Sequence, residues 1–145
     1  MVEIALANKE QLSLIASLEK VTFSSPWSEK SLEFFLEELN FCVVLLSDGE
    51  LASYCTVSTV LDEAQIINVA TDIRFKRSGY AESVLNAVFK ECARRGIASI
   101  SLEVREGNVA AISLYKKLGF EIMGTRKNFY TDPTENALVM VKNNI

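Results

Sequence analysis

The sequence predicts an α/β fold: a mixed, mostly antiparallel sheet flanked by helices, with elements in the order βααβββαβαββ. Three observations lead there. Runs rich in β-branched residues outnumber runs with helical spacing. The pair Asp48-Gly49 between two such runs is a strong hairpin signal, which makes the middle of the chain antiparallel. Strands alternate with helices only in the second half, which mixes the sheet and puts helices on both of its faces. With 145 residues, Gly 6 and Pro 2, and no linker-like stretch or repeat, residues 1–145 are expected to form one domain.

Each element has a local reason. Val2 to Ala7 reads as a short first strand. Residues 9 to 23 carry Leu12, Ile15, Leu18 and Val21 at helical spacing. In "SSPWSEKSLEFFLEEL" a second helix is expected, with Ser28 as N-cap, Glu29 at the positive end of the dipole and a stripe of Leu32, Phe35 and Leu39. "FCVVLLSDGELASYCTVSTV" supplies the hairpin and "AQIINVATD" a third strand of the meander. A helix from about Gly79 to Arg95 follows, in which Ala81, Val84, Leu85, Val88 and Cys92 make one apolar stripe and Arg94 and Arg95 close the last turn before Gly96. "IASISLEV" is a strand, "NVAAISLYKKLG" a helix capped by Asn108 and ended by Gly119, and "FEIMGTR" and "ALVMVK" are the last two strands.

Composition narrows the function. Lys and Arg number 15 against 19 Asp and Glu, a net charge of -4, so the general basic footprint of a nucleic-acid binder is missing. Cys42, Cys55 and Cys92 are odd in number, show no C-x-x-C spacing and lie in apolar segments, as buried thiols in a reducing compartment do. The first residues lack the pattern of a secretory signal and no apolar run reaches about 18 residues, so a cytoplasmic protein without a membrane span is expected. Any proton transfer must also proceed without histidine, of which there are 0.

One loop invites an anion. In "TDIRFKRSGYAES", Arg74, Lys76 and Arg77 precede Ser78-Gly79-Tyr80-Ala81 at the entrance of the Gly79 helix. A helix start exposes unpaired N–H groups and a partial positive charge, and small residues let phosphate oxygens approach the backbone. Read alone, the same residues serve equally as a solvated basic loop with a tight turn at Gly79. No G-x-x-x-x-G-K-[ST] is present and no G-x-G-x-x-G follows the first strand, which argues against ATP, GTP and NAD.

The stretch Lys76-Arg77-Ser78-Gly79-Tyr80-Ala81 resembles the Q/R-x-x-G-x-G/A pyrophosphate loop of the GNAT acetyltransferases, and the element order agrees along the chain. "PWSEKS", "INVATD", "LEVREGNVAAISLYKKLGF" and "RKNFY" with "ENALVM" look like the RimI branch of that superfamily, which acetylates the N-terminal amino group of a small-subunit ribosomal protein. The resemblance implies acetyl-CoA as acetyl donor and no metal. It implies pyrophosphate binding by Arg77, Ser78, Gly79, Tyr80, Ala81 and Glu82, thioester and pantetheine binding beside Val69, Ala70 and Thr71, and a cofactor contact from Asn108. It makes Glu103 the general base and Tyr115 the general acid. The implied partner is a protein N-terminal peptide, with neither nucleic acid nor membrane. Departures from the pattern are Lys76 for glutamine or arginine, Ala81 for the second glycine, Glu82 for a frequent arginine, Ile73 for a usual proline, Gly107 before Asn108, and Asn136 for an acidic residue.

The chemistry fits those residue types. An α-amine with a pKa of about 7.7–8.0 must lose a proton before attack, and a carboxylate can accept it. A phenol with a reference pKa of about 10 stays protonated and can donate to the leaving thiolate. Along the strand Ser99, Ser101, Glu103 and Arg105 share one face and Ile100, Leu102 and Val104 the other. The competing reading of Glu103 is an ion pair with Arg105, Lys116 or Lys117, and that of Tyr115 a core aromatic with a satisfied hydroxyl. Trp27 and Tyr130 are candidates to contact the acceptor, or else packing residues. Two other functions are open: acetyl transfer to small amines or other proteins, and CoA binding by a regulatory module without turnover.

Overall fold

The computed structural model describes all residues, 1–145. Its strands are β1 (Val2–Leu6), β2 (Phe41–Ser47), β3 (Glu50–Val60), β4 (Glu63–Thr71), β5 (Ser99–Arg105), β6 (Glu121–Tyr130) and β7 (Glu135–Lys142), and its helices α1 (Leu12–Thr22), α2 (Tyr80–Arg94) and α3 (Val109–Lys117). The strands form one sheet in the order β1-β2-β3-β4-β5-β7-β6. Only β4 and β5 run parallel; every other neighbouring pair is antiparallel. The β2–β3 turn is the expected two-residue one, with Ser47 opposite Glu50 and both Asp48 (φ 50) and Gly49 (φ 84) left-handed, as a type I′ turn requires.

Two apolar clusters sandwich this sheet. On one face α2 and α3 cover Val43, Cys55, Ile66, Ile100, Leu102 and Met140. On the other, α1 and the segment after it cover Cys42, Val44, Tyr54 and Ala70. The α2 stripe is buried as its period requires, with Val84, Leu85, Val88 and Cys92 wholly inside and Ala81 half-buried at the helix mouth.

Three expectations need correcting. The second helix is a short 3-10 run, Ser31–Leu36. Its N-cap is Lys30 and not the expected Ser28, whose hydroxyl accepts the Ser31 N–H at 3.1 Å in the turn leading in; Leu32 and Phe35 are buried three apart, as the tighter winding requires, while Leu39 lies beyond the run and is 69% exposed. Val21, in the last turn of α1, is 83% exposed, because at 3.6 residues per turn it stands about half a turn round the helix from Leu12, off the buried stripe of Leu12, Ile15, Leu18 and Glu19; a 3-10 turn over Lys9–Gln11 also precedes α1. The final strands extend beyond "FEIMGTR" and "ALVMVK" and meet in a hairpin that reaches Tyr130 and Glu135.

The feature that positions the site is a split. β4 and β5 pair only through Glu63 with Ser99, Ala64 with Ile100 and Gln65 with Ser101, and then part. Beyond Gln65 the β5-facing edge of β4 has no strand beside it. Within β4, Thr56 pairs with Asn68 and Val57 with Ile66, so Ile67 is an extra, bulged residue just where the strands diverge.

Candidate active site

The split opens a cleft of about 720 Å³, lined by β4, β5, the mouth of α2, the start of α3 and the β6–β7 hairpin. Asn68 N–H bonds the Thr56 hydroxyl on β3, the Ala70 carbonyl accepts from Ser53, and Asp72 N–H reaches Ala52 O, so the even-numbered main-chain groups are used toward β3. By strand alternation the N–H and C=O groups of Val69 and Thr71 face the gap. An extended ligand thus meets main-chain partners where β5 would otherwise have supplied them.

At one end of the cleft α2 begins. Gly79, its N-cap, sits at φ 74, a conformation glycine adopts without strain, and no side chain caps the helix. The first-turn N–H groups therefore stay available to an anion. Lys76, Arg77, Gly79, Tyr80, Ala81 and Glu82 all line this end, whereas Ser78 is exposed outside the lining. Arg74 is turned elsewhere: its guanidinium bonds Asp72 and Glu50, which leaves the cleft's anion end to Lys76 and Arg77. Glu82 does not confront an incoming anion alone, because Lys117 Nζ on α3 lies 2.9 Å from its carboxylate. Asn108 caps α3 by accepting the Ala111 N–H at 3.2 Å, and it also lines the cleft.

Glu103 and Tyr115 enter from opposite faces of the sheet. Glu103 lies on the face of β5 away from Leu102 and Val104, while Tyr115 packs in the core with those two residues. In an unbroken sheet they could not meet; because β4 and β5 part, both line the same cleft. Glu103 Oε1 accepts from Gln65 Nε2 at 3.1 Å. Its Oε2 is buried and lies 2.9 Å from Arg126 Nε, but that N–H is not aimed at it, so the oxygen feels the charge and accepts no hydrogen bond. The ion pairs envisaged with Arg105, Lys116 or Lys117 do not form: Arg105 pairs with Glu135 and Lys117 with Glu82.

The Tyr115 ring is core, 6% exposed and edge-on to Phe120, yet its hydroxyl makes no hydrogen bond within the chain and is not sealed from solvent. Burial, with a smaller contribution from Cys55, pushes its pKa above the ordinary phenol value, which holds the proton on at neutral pH. Burial first, then Glu103, also raises Tyr130. The Tyr130 ring lies under the Arg105 guanidinium at 4.5 Å, and Arg105 further donates to the Thr131 and Pro133 carbonyls, so the β6–β7 turn is held over the cleft. Trp27 is not part of the lining. It packs on Phe34 and Phe35 with centroids 6.1 and 4.9 Å away, the packing alternative for this residue. Phe23, Gln65, Asn68, Phe75 and Phe129 also line the cleft; Asn68 and Phe129 stood inside the quoted stretches "INVATD" and "RKNFY" without being singled out, and Phe23 and Gln65 lay in no motif. No group of three or more His, Cys, Asp or Glu side chains is gathered as a metal site would need.

A domain with this split sheet, uncapped helix mouth and paired acid and base candidates has counterparts. The profile of the Acetyltransferase (GNAT) family matches residues 12–120. The chain is 37% identical over 125 residues to the [ribosomal protein bS18]-alanine N-acetyltransferase of Escherichia coli strain K12, covering 85% of this chain and 84% of that protein. The crystal structure of the ribosomal-protein-S18-alanine N-acetyltransferase from Escherichia coli superposes with a TM-score of 0.91 at 34% identity, over 99% of this chain and 94% of that one. Ard1 from Thermoplasma volcanium superposes with a TM-score of 0.88 at 25% identity, over 99% and 98%. The chain belongs to the GNAT acetyltransferase family. It is an acetyl-CoA-dependent N-acetyltransferase.

Proposed function

We propose that this enzyme transfers acetyl from acetyl-CoA to the N-terminal α-amino group of a protein, and that its acceptor is the N-terminal alanine of the small-subunit ribosomal protein bS18. The observation that carries the reading is the parting of β4 from β5, through which a carboxylate on one face and a phenol on the other line one cleft. The acceptor itself is taken from the relatives, whose names specify bS18 alanine. Residues 1–145 act as one catalytic domain in this reading. Cytoplasmic work is supported by three free, buried cysteines; in addition, no helix is long and apolar enough to cross a membrane.

The roles follow from position. Lys76, Arg77 and the first-turn N–H groups of α2 hold the coenzyme's pyrophosphate, with Glu82 kept neutralised by Lys117. The bound coenzyme supplies an activated acetyl group. Val69 and Thr71 main-chain groups align its arm, and an N–H there polarises the thioester oxygen. Glu103 takes the proton that the α-amine gives up as its nitrogen bonds the acetyl carbon. Tyr115 gives a proton to sulfur as the C–S bond breaks, and the proton held by Glu103 then passes through solvent to the Tyr115 phenolate, which returns both residues to their starting states. Tyr130 and Phe129 close over the peptide end.

Incubation with acetyl-CoA and a synthetic bS18 N-terminal peptide, read by mass spectrometry, tests this. One acetyl group on the α-amine is expected. Bound acetyl-CoA with the α-amine unmodified would reject this acceptor, and acetylation of small amines instead would reassign it.

A further inference from the structure

Glu19 is 0% exposed, in the middle of the α1-side core, and no cation lies against it. A buried carboxylate persists only where hydrogen bonds replace water. Here Tyr54 donates its hydroxyl, Trp27 its main-chain N–H at 3.0 Å to Oε1, and Asn68 its Nδ2 group to both Oε1 and Oε2 at 3.1 and 2.9 Å. Every partner is a donor, which matches a group that only accepts.

For Asn68 the consequence is directional. The amide NH₂ is committed to Glu19, which fixes the orientation of the carboxamide and leaves Oδ1 as the group it can offer elsewhere. That oxygen accepts nothing within the chain, and it is not among the buried polar atoms lacking a partner, so solvent reaches it. Asn68 lines the cleft directly after the Ile67 bulge, on the strand that borders the thioester position. The same cleft contains Glu103, whose Oε2 also accepts no hydrogen bond but is buried 2.9 Å from Arg126 Nε, so it acts there through its charge.

We propose that Asn68 Oδ1, locked outward by the buried Glu19, accepts a hydrogen bond from the acceptor's α-amine and, with Glu103, selects a terminus that carries an α-amine over one that lacks it. Asn68 touches the substrate in this arrangement; Glu19 is a positioning residue. An unlocked carboxamide could rotate and present Nδ2 to the cleft, setting a donor against a donor. The inference rests on the acetyl-transfer reading of the cleft.

The test uses the enzyme saturated with CoA, a complex that cannot turn over, and calorimetry of two peptides: the bS18 N-terminal peptide and its des-amino analogue, in which the first residue lacks the α-amine. Wild type is expected to prefer the amine peptide. Asn68→Ala should reduce that preference about tenfold, the effect of losing one charge-assisted hydrogen bond, while binding the des-amino peptide and CoA as wild type does. Glu19→Gln, whose own NH₂ would oppose that of Asn68, should do the same; thermal melts identify a variant that is merely unfolded, in which case Asn68→Ala decides. A purely structural role would weaken both peptides alike. If wild type binds and acetylates the peptide while Asn68→Ala keeps the full preference, this inference fails alone. If wild type binds neither peptide, the acceptor reading and this inference fall together.

Discussion

Glu103→Gln isolates proton transfer from everything else the side chain does. Glutamine keeps the length and shape of the side chain, and its amide oxygen can still accept from Gln65. Arg126 is 62% exposed, so the charge contact it loses is screened and changes stability by less than about 1 kcal/mol. What disappears is the acceptor for the amine proton. A positioned general base contributes about 10²–10⁴-fold, equivalent to roughly 2.7–5.4 kcal/mol of barrier, and kcat should fall within that range. The defect should narrow between pH 7 and 9, because an α-amine with a pKa of about 7.7–8.0 increasingly arrives without its proton. CoA release can be followed with a thiol reagent, since Cys42, Cys55 and Cys92 are buried. A variant with kcat within about threefold of wild type at pH 7 and unchanged acetyl-CoA affinity would refute the argument and leave Glu103 as the ion-pair partner of Arg126.

Tyr115→Phe removes a hydroxyl that bonds nothing in the chain, so melting should hardly move while kcat drops on the order of 10²-fold, with acetyl-CoA affinity kept; an unaltered kcat would make the residue a packing group. Lys117→Met strips Glu82 of its cation beside the helix mouth, so acetyl-CoA should bind several-fold more weakly by calorimetry, about 1 kcal/mol on the scale of a charge near a helix terminus, and the added change Glu82→Gln should restore it. Alkali should destabilise the fold. Burial pushes the thiols of Cys92 to about 11 and Cys42 to about 12, well above a free thiol. Above pH 9 the unfolded chain sheds protons that the folded one keeps, so stability declines as pH rises toward 11–12. Urea midpoints that stay level from pH 8 to 11 would contradict that burial.

The legible parts of the sequence were those set by neighbours in the chain. Period 2 in "SISLEV" assigned Glu103 and Leu102 to opposite faces correctly, Asp48-Gly49 fixed a turn, and the stripe of α2 marked its buried side. At Val21 steps of three had drifted off the buried side of α1, and at Leu39 the stripe was read past the end of its short 3-10 run. The loop residues at 74–82 were found by their order, but their distant partners were not: Lys117 on Glu82 and Glu50 on Arg74 stand 35 and 24 residues away in the chain. Glu19 carries no sequence signal that sets it apart from the other polar residues of α1. Its three donors stand 8, 35 and 49 residues away, and no local signal announces them.

By itself the sequence determined the elements, their hydrophobic faces and the residue types available for moving a proton without histidine, because those depend on spacing along the chain. Only the tertiary structure decided that Glu103 and Tyr115 share a cleft. They sit on opposite sides of a sheet, and whether such a pair can meet depends on where two parallel strands stop hydrogen-bonding, a matter of bulge and divergence between segments more than thirty residues apart.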